Sequence, residues 1–322
     1  MHSKIIKTQL AVVIHAEEEF DWTRNEFHKK NTQVSHVNEF SEFCLQLLSM
    51  GAALTIAVDY PFVADKNAQA VLLRLLKDYP NRVEIASQVH AWVTPPFFHD
   101  NKESEYHSYI CNLTAEQEFA KIKSLSDFIE LNLGVKPTTY LAGRYGIGKN
   151  TCNTLKKLGY NTDISLSPFA DFTRQQGPDF TETTNQIFSQ NGILRWPHTS
   201  GVISRSLLVT KWLNRRPQYI KKLLAHNPCL QLTRKLLGLK ILRLSPEGVR
   251  LKDLKKLAHA QIESGYPNLI FSYHSPSLKQ GLTPYVQTAQ DLQSFKQETL
   301  EFLKWYQDTY DAQFICVQDF TG

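Results

Sequence analysis

The sequence predicts a single α/β domain built on a parallel sheet, closed or nearly closed on itself. Three observations predict it. Short apolar runs alternate with segments whose apolar residues recur at i, i+3 and i+4, which is the pattern of successive β-α units. The runs are apolar throughout, as strands buried on both faces are. Two of them stop in polar, histidine-bearing stretches some 260 residues apart, His15-Ala-Glu-Glu-Glu-Phe-Asp-Trp22 and Tyr273-His-Ser-Pro-Ser277. Strand ends of this kind are where α/β enzymes assemble their sites.

The elements follow in order. Residues 10–14 form the first strand and 37–50 the first helix, with Gly51 just beyond it for a left-handed cap. Strand 53–58, helix 68–78 and strand 83–85 continue the alternation. The helix over 114–133 opens on Thr114-Ala-Glu-Gln117, a capping box whose side chains satisfy free backbone amides. Strand 138–142 and helix 149–158 come next, the latter ended by Gly159. Strands at 162–166, 193–196 and 241–244 lead to helix 250–264, strand 269–273, helix 286–309 and a last strand at 313–317. With no internal repeat and no convincing linker, the domain spans 8–318.

Composition excludes several classes. The chain has 322 residues, 42% hydrophobic and 21% charged, and no apolar run approaches the ~20 residues that span a bilayer. Residues 1–8 run directly into a strand and then into His15 and three glutamates, unlike a cleavable signal peptide, so the expected location is cytoplasmic. Five scattered cysteines without a CxxC pair read as reduced, mostly buried thiols. Gly143-Arg-Tyr-Gly-Ile-Gly148 lacks both the GxGxxG order and a P-loop lysine, and no GxSxG elbow occurs.

Charge is uneven. Residues 202–257 hold fourteen of the 36 Lys and Arg but two of the 31 acidic residues, a local +12 against −7 elsewhere. Lys211, Arg215, Arg216, Lys221, Lys222, Arg234, Lys235 and Lys240 alternate with Leu and Ile at helical spacing. This block reads either as the solvated faces of one or two surface helices or as a landing site for an anionic partner. No nucleic-acid-binding motif accompanies it.

Side chains along a strand alternate faces, so His15 and Glu17 share a direction, as do Gln88 and His90. His274 reaches the same mouth from a late strand, and Arg144 and Tyr145 follow another. A carboxylate with two or three imidazoles suits Zn²⁺ or a similar divalent ion. Each residue alone reads as well as a hydrogen-bonded structural group; the set carries the argument.

At these residues the chain resembles the polysaccharide deacetylase (NodB-homology) superfamily, and within it a WalW-like branch. The resemblance rests on Glu17-Glu-Glu-Phe-Asp-Trp22, His90-Ala-Trp-Val-Thr-Pro-Pro-Phe97, Gly143-Arg-Tyr-Gly-Ile-Gly148, Gly159-Tyr-Asn-Thr-Asp-Ile-Ser165, Leu244-Ser-Pro-Glu-Gly248, and residues 271–278 followed by Thr283-Pro-Tyr-Val286. It implies a distorted (β/α) barrel carrying 202–257 as a basic helical insertion, and metal-dependent hydrolysis of N-acetyl groups on a glycan or a lipid-linked or nucleotide-sugar precursor. Carried over, Glu17 falls at the metal carboxylate, His90 at a metal imidazole and His274 at the general acid. Trp92, Tyr145 and Trp22 would line the sugar pocket.

Three positions depart from the family's pattern. His15 stands where the base aspartate is expected, Gln88 where a second metal histidine is expected, and Leu141 where an orienting arginine is expected, with Arg144 the arginine nearby. Two readings follow. In one the metal centre is rebuilt from His15, Glu17 and His90, and the base is Glu18, His274 or another group. In the other, hydrolysis is lost, a neutral His15 hydrogen-bonds Gln88, and the barrel keeps a carbohydrate-binding groove. Either is compatible with a protein peripheral to the inner face of a membrane.

Overall fold

The computed structural model describes residues 8–22, 24, 26–98, 102–216, 218–224 and 228–321. The N-terminal stretch 1–7 and the side chains of Lys221 and Cys229, all used above, lie outside the described residues. Strands β1 (Gln9–Ala16), β2 (Leu54–Val58), β3 (Val83–Val89), β4 (Thr139–Ala142), β5 (Thr162–Asp163), β6 (Phe188–Gln190), β7 (Ile193–Arg195), β8 (Asn268–His274) and β9 (Gln313–Phe314) form the main sheet. Their order is β8-β1-β2-β3-β4-β5-β7-β6, with β9 also on β1. The pairings are parallel except that of β6 with β7.

Helices α1 (Val37–Ser49), α2 (Lys66–Asp78), α3 (Ala115–Leu133), α4 (Thr151–Leu158), α5 (Leu207–Asn214), α6 (Gln218–Leu224), α7 (Pro228–Leu237), α8 (Leu251–Glu263) and α9 (Ala289–Tyr310) complete the α/β alternation. Thr114 and Gln117 form the expected capping box on α3. Gly51 and Gly159 take φ of 87° and 86°, the left-handed turn that lets α1 and α4 end abruptly. Among the described residues no helix is long and apolar enough to cross a membrane.

Strand parity sorts the core. Leu10, Val12 and Ile14 point outward with Leu54, Ile56 and Val58 into the layer under the helices, meeting Phe40, Phe43 and Leu47 of α1. Ala11 and Val13 point inward with Ala57, Ala86, Leu141, Ile164 and Ile270, filling the barrel interior. The alanines keep that interior narrow enough to pack without a pore.

The barrel is closed unevenly. Between β7 and β8 no ladder forms among the described residues. The gap is spanned by a two-stranded antiparallel sheet, Ser200–Ile203 with Lys240–Arg243, tied in by single bonds. His198 N donates to Leu166 O at 2.9 Å, Leu244 N to Thr199 O at 2.8 Å and Ser272 N to Leu244 O at 3.1 Å.

The expected strand over 162–166 stops after Asp163. Ser165 turns back there: its Oγ accepts from the Ala142 amide at 2.7 Å, and its own amide donates to Asp163 Oδ1 at 2.9 Å, so side chains replace the ladder. The last strand also ends early, at Phe314, before a 3₁₀ turn over Val317–Asp319. The basic block, read as one or two surface helices, holds α5, α6 and α7 whole and the start of α8.

Candidate active site

Continuing the inward parity past the strand ends generates the site. Ala11 and Val13 lead to His15 and Glu17, Ala86 leads to Gln88 and His90, and Ile270 leads to Ser272 and His274. His15 and His274 are direct partners across β1 and β8, with ring centroids 4.6 Å apart. His15, Glu17, Trp22, His90, Trp92, Arg144, Tyr145 and His274 all line one cavity of ≈ 330 Å³, within the size range of small-ligand sites.

Two clusters of potential ligand atoms stand at these strand ends, the first lining the cavity and the second reaching it through His90 alone. In the first, atoms of His15, Glu17 and His274 lie within 4.8 Å of one another. Burial, then the neighbouring His274, pushes the His15 imidazole well below its ordinary pKa. It is therefore neutral, and its Nε2 is buried with no hydrogen-bond partner. Gln88 Nε2 donates to Glu17 Oε2 at 2.6 Å. Burial raises the Glu17 carboxyl, with His274 and His90 pulling the other way. His274 is held at Nδ1 by Glu247 Oε2, 2.8 Å away. Burial opposes its protonation, but Glu247 and Glu17 outweigh that and bring its pKa to about 9.

The second cluster is Glu18, Asp59 and His90. His90 Nδ1 lies 2.7 Å from Glu18 Oε2 and 3.6 Å from Asp59 Oδ2. Trp92 Nε1 donates to the other Glu18 oxygen at 2.7 Å, and the His90 ring stacks on Trp92 at 4.4 Å. Against burial, Glu18 and Asp59 hold the His90 pKa well above the ordinary histidine value. Asp59, pushed up to about 8 by burial and then by Glu18, also caps the helix Tyr60–Ala64. The opposite ring edge, Nε2, lies 3.0 Å from Gln88 Nε2 and 3.6 Å from Glu17 Oε2.

Several placements differ from the expectations. Gln88 bonds Glu17 and contacts His90, not His15. The register explains this: His15 aligns through Ala57 with Ala86, so Gln88 sits one inward step higher, level with Glu17. Leu141 is buried in the inner core, paired with Gln88. Arg144 lines the cavity, but its guanidinium lies over Phe27 and Tyr109 and binds Ser108, Gln175 and Glu105. None of these belongs to either cluster. Trp92 is 3% exposed with a face against His90, whereas Trp22, 44% exposed, stands open at the rim.

Sequence reasoning assigned no role to Asp59, Glu247 or Arg243. Asp59 follows the second apolar run directly, the same signal that singled out His15, and Glu247 lies in the quoted Leu244–Gly248 motif. Arg243 was hidden among the basic residues of its block.

No protein-family model and no curated protein matches the sequence. Among solved structures the chain is similar to a protein named as a polysaccharide deacetylase from Mycobacterium smegmatis. That match has a TM-score of 0.52 and 10% identity, over 98% of this chain and 90% of that one. The fold is of the deacetylase type. The chain is also similar to a GH57-type branching enzyme from Pyrococcus horikoshii, with TM-score 0.51 and 11% identity, over 98% of this chain and 71% of that one. At such identities the likeness concerns architecture; chemistry has to be argued from the site.

Proposed function

We propose that this chain is a metal-dependent hydrolase that removes acetyl groups from N-acetylated sugars. The observation that carries the reading is the buried set His15, Glu17 and His274, with the Nε2 of a neutral His15 lacking a hydrogen-bond partner among the described residues. Two imidazoles and a carboxylate fit a catalytic Zn²⁺ site, and Glu247 on His274 Nδ1 is the kind of outer carboxylate that fixes a ligand's tautomer. A bound divalent ion supplies a more acidic water and polarises the acetyl carbonyl. The resemblance puts His90 at a metal imidazole and His274 at the acid; the geometry favours the exchange. Clamped by Glu18 and Asp59, His90 carries a proton for the departing amine once substrate displaces the Gln88 amide nitrogen, which lies 3.0 Å from its Nε2. Trp22 at the rim offers a face for a sugar ring.

Amide hydrolysis is favoured over glycoside cleavage. Glycosidases generally need two facing carboxyl groups, and Glu17 is the single carboxylate among the described residues lining the cavity. A second reading, a sugar-binding barrel without hydrolysis, draws on the 2.6 Å bond by which Gln88 already engages Glu17. Metal analysis and acetate release separate them. The enzyme reading expects about one zinc per chain, lost in Glu17→Ala and His15→Ala, and acetate from N-acetylated oligosaccharides. Sugar binding with neither metal nor acetate leaves the binding barrel. The proposal extends to an anionic lipid surface as the place of action, approached by α5, α6 and α7.

A further inference from the structure

Arg243 is a cation of the cavity that no carboxylate of the described residues pairs. It ends the strand Lys240–Arg243 and lines the pocket. Its guanidinium lies 4.1 Å from the centroid of the Tyr145 ring. One terminal nitrogen donates to the Tyr145 hydroxyl and the other to Ser167 Oγ at 2.6 Å, both neutral partners. Nε is buried without a partner. The other guanidinium at the cavity, Arg144, has a carboxylate beside it, Glu105 at 3.5 Å. Among the described residues none forms an ion pair with Arg243.

A guanidinium partly withdrawn from water without a counter-charge is costly to keep. Its planar fork matches a carboxylate or phosphate better than any neutral group. Tyr145 also sets the distance. Its ring lies 6.2 Å from that of His15, so Arg243 stands one aromatic ring away from the proposed metal donors. A substituent on the sugar could be held there while the acetamide lies at His15 and Glu17.

We infer that Arg243 recognises an acidic substituent, a carboxylate or a phosphate, on the sugar, so that the cavity selects anionic over neutral N-acetyl sugars. This rests on reading the cavity as a sugar site. The test is calorimetric titration with N-acetylglucosamine, its 1-phosphate, and N-acetylmuramic acid, an amino sugar bearing a carboxylate. An acidic sugar is expected to bind roughly ten- to a hundredfold tighter than the neutral one, and whichever acidic sugar does so identifies the group. Arg243→Gln removes the preference and Arg243→Lys, which keeps charge but not the fork, retains part of it. Equal affinities, a preference that survives Arg243→Gln, or inorganic phosphate binding as tightly as the sugar phosphate overturns the inference. Should Arg243→Gln not fold, the wild-type comparison and Arg243→Lys still decide. Acetate released equally from neutral and acidic sugars sinks this inference and leaves deacetylation standing; selective binding without acetate release does the reverse.

Discussion

His15 and His274 are neighbours on paired strands, yet the surroundings give them opposite charge states. Burial, then the neighbouring His274, strips His15 of its proton; His274 meets Glu247 and keeps one. In metal-free protein the second effect has a pH signature. The folded pKa of about 9 exceeds the ordinary 6.5, so the pair's stabilisation is full below about pH 6.5 and is lost as pH rises through 9. Glu247→Gln should lower stability by about 1–3 kcal/mol at pH 6 and by much less at pH 9.5, as chemical denaturation at the two pH values would show. Equal losses at both would reject the ion pair. The residues quoted from the sequence do converge on one cavity because strand parity is readable from alternation alone. Their pairing was not readable, since whether Gln88 meets His15 or Glu17 depends on strand register.

At the scale of elements, α3 reaches the site through one side chain. Lys121 is buried and donates to the carbonyls of Ala91, Thr94 and Pro96 at 2.8, 2.6 and 2.9 Å. It therefore gathers the loop after β3 that presents His90 and Trp92. Three carbonyls would lose their donor in Lys121→Met, at a cost of about 2–4 kcal/mol. Tryptophan fluorescence should report a loosened Trp92; an unchanged melting temperature would rule the clasp out. A lysine on a helix reads from sequence as a solvated charge, which is why this one gave no signal. The main strands and helices were legible because each carries its period over many residues. The early stop of β5 was not, because side-chain bonds set it, nor was Ser200–Ile203, which is a strand through its pairing with the distant Lys240–Arg243.

Across the whole molecule, the basic block forms an outward face. Leu208 is 80% exposed, Leu236 66% and Trp212 45%, beside the exposed Arg215, Arg216, Lys222 and Lys235. Arg205 N donates to Leu237 O, bringing the end of α7 against the start of α5. Exposed leucine and tryptophan among bases is the pattern of helices that lie in a bilayer interface, each base near an anionic surface adding about 1 kcal/mol. Sedimentation with phosphatidylserine vesicles should show binding that weakens as salt rises and falls in the Leu208→Glu/Leu236→Glu double variant. Binding indifferent to salt, or none, dismisses the lipid surface.

The uneven closure between β7 and β8 has its own consequence. A wall continuous except where isolated hydrogen bonds replace a ladder breathes at the seam, and this seam carries Arg243. Amide exchange should be fastest at Thr199, Leu244 and Ser272, ahead of β1 to β3; uniform protection around the ring would refute it. If the seam does breathe, lipid pressing on the outer helices would be felt as a change in how the cavity grips its guest.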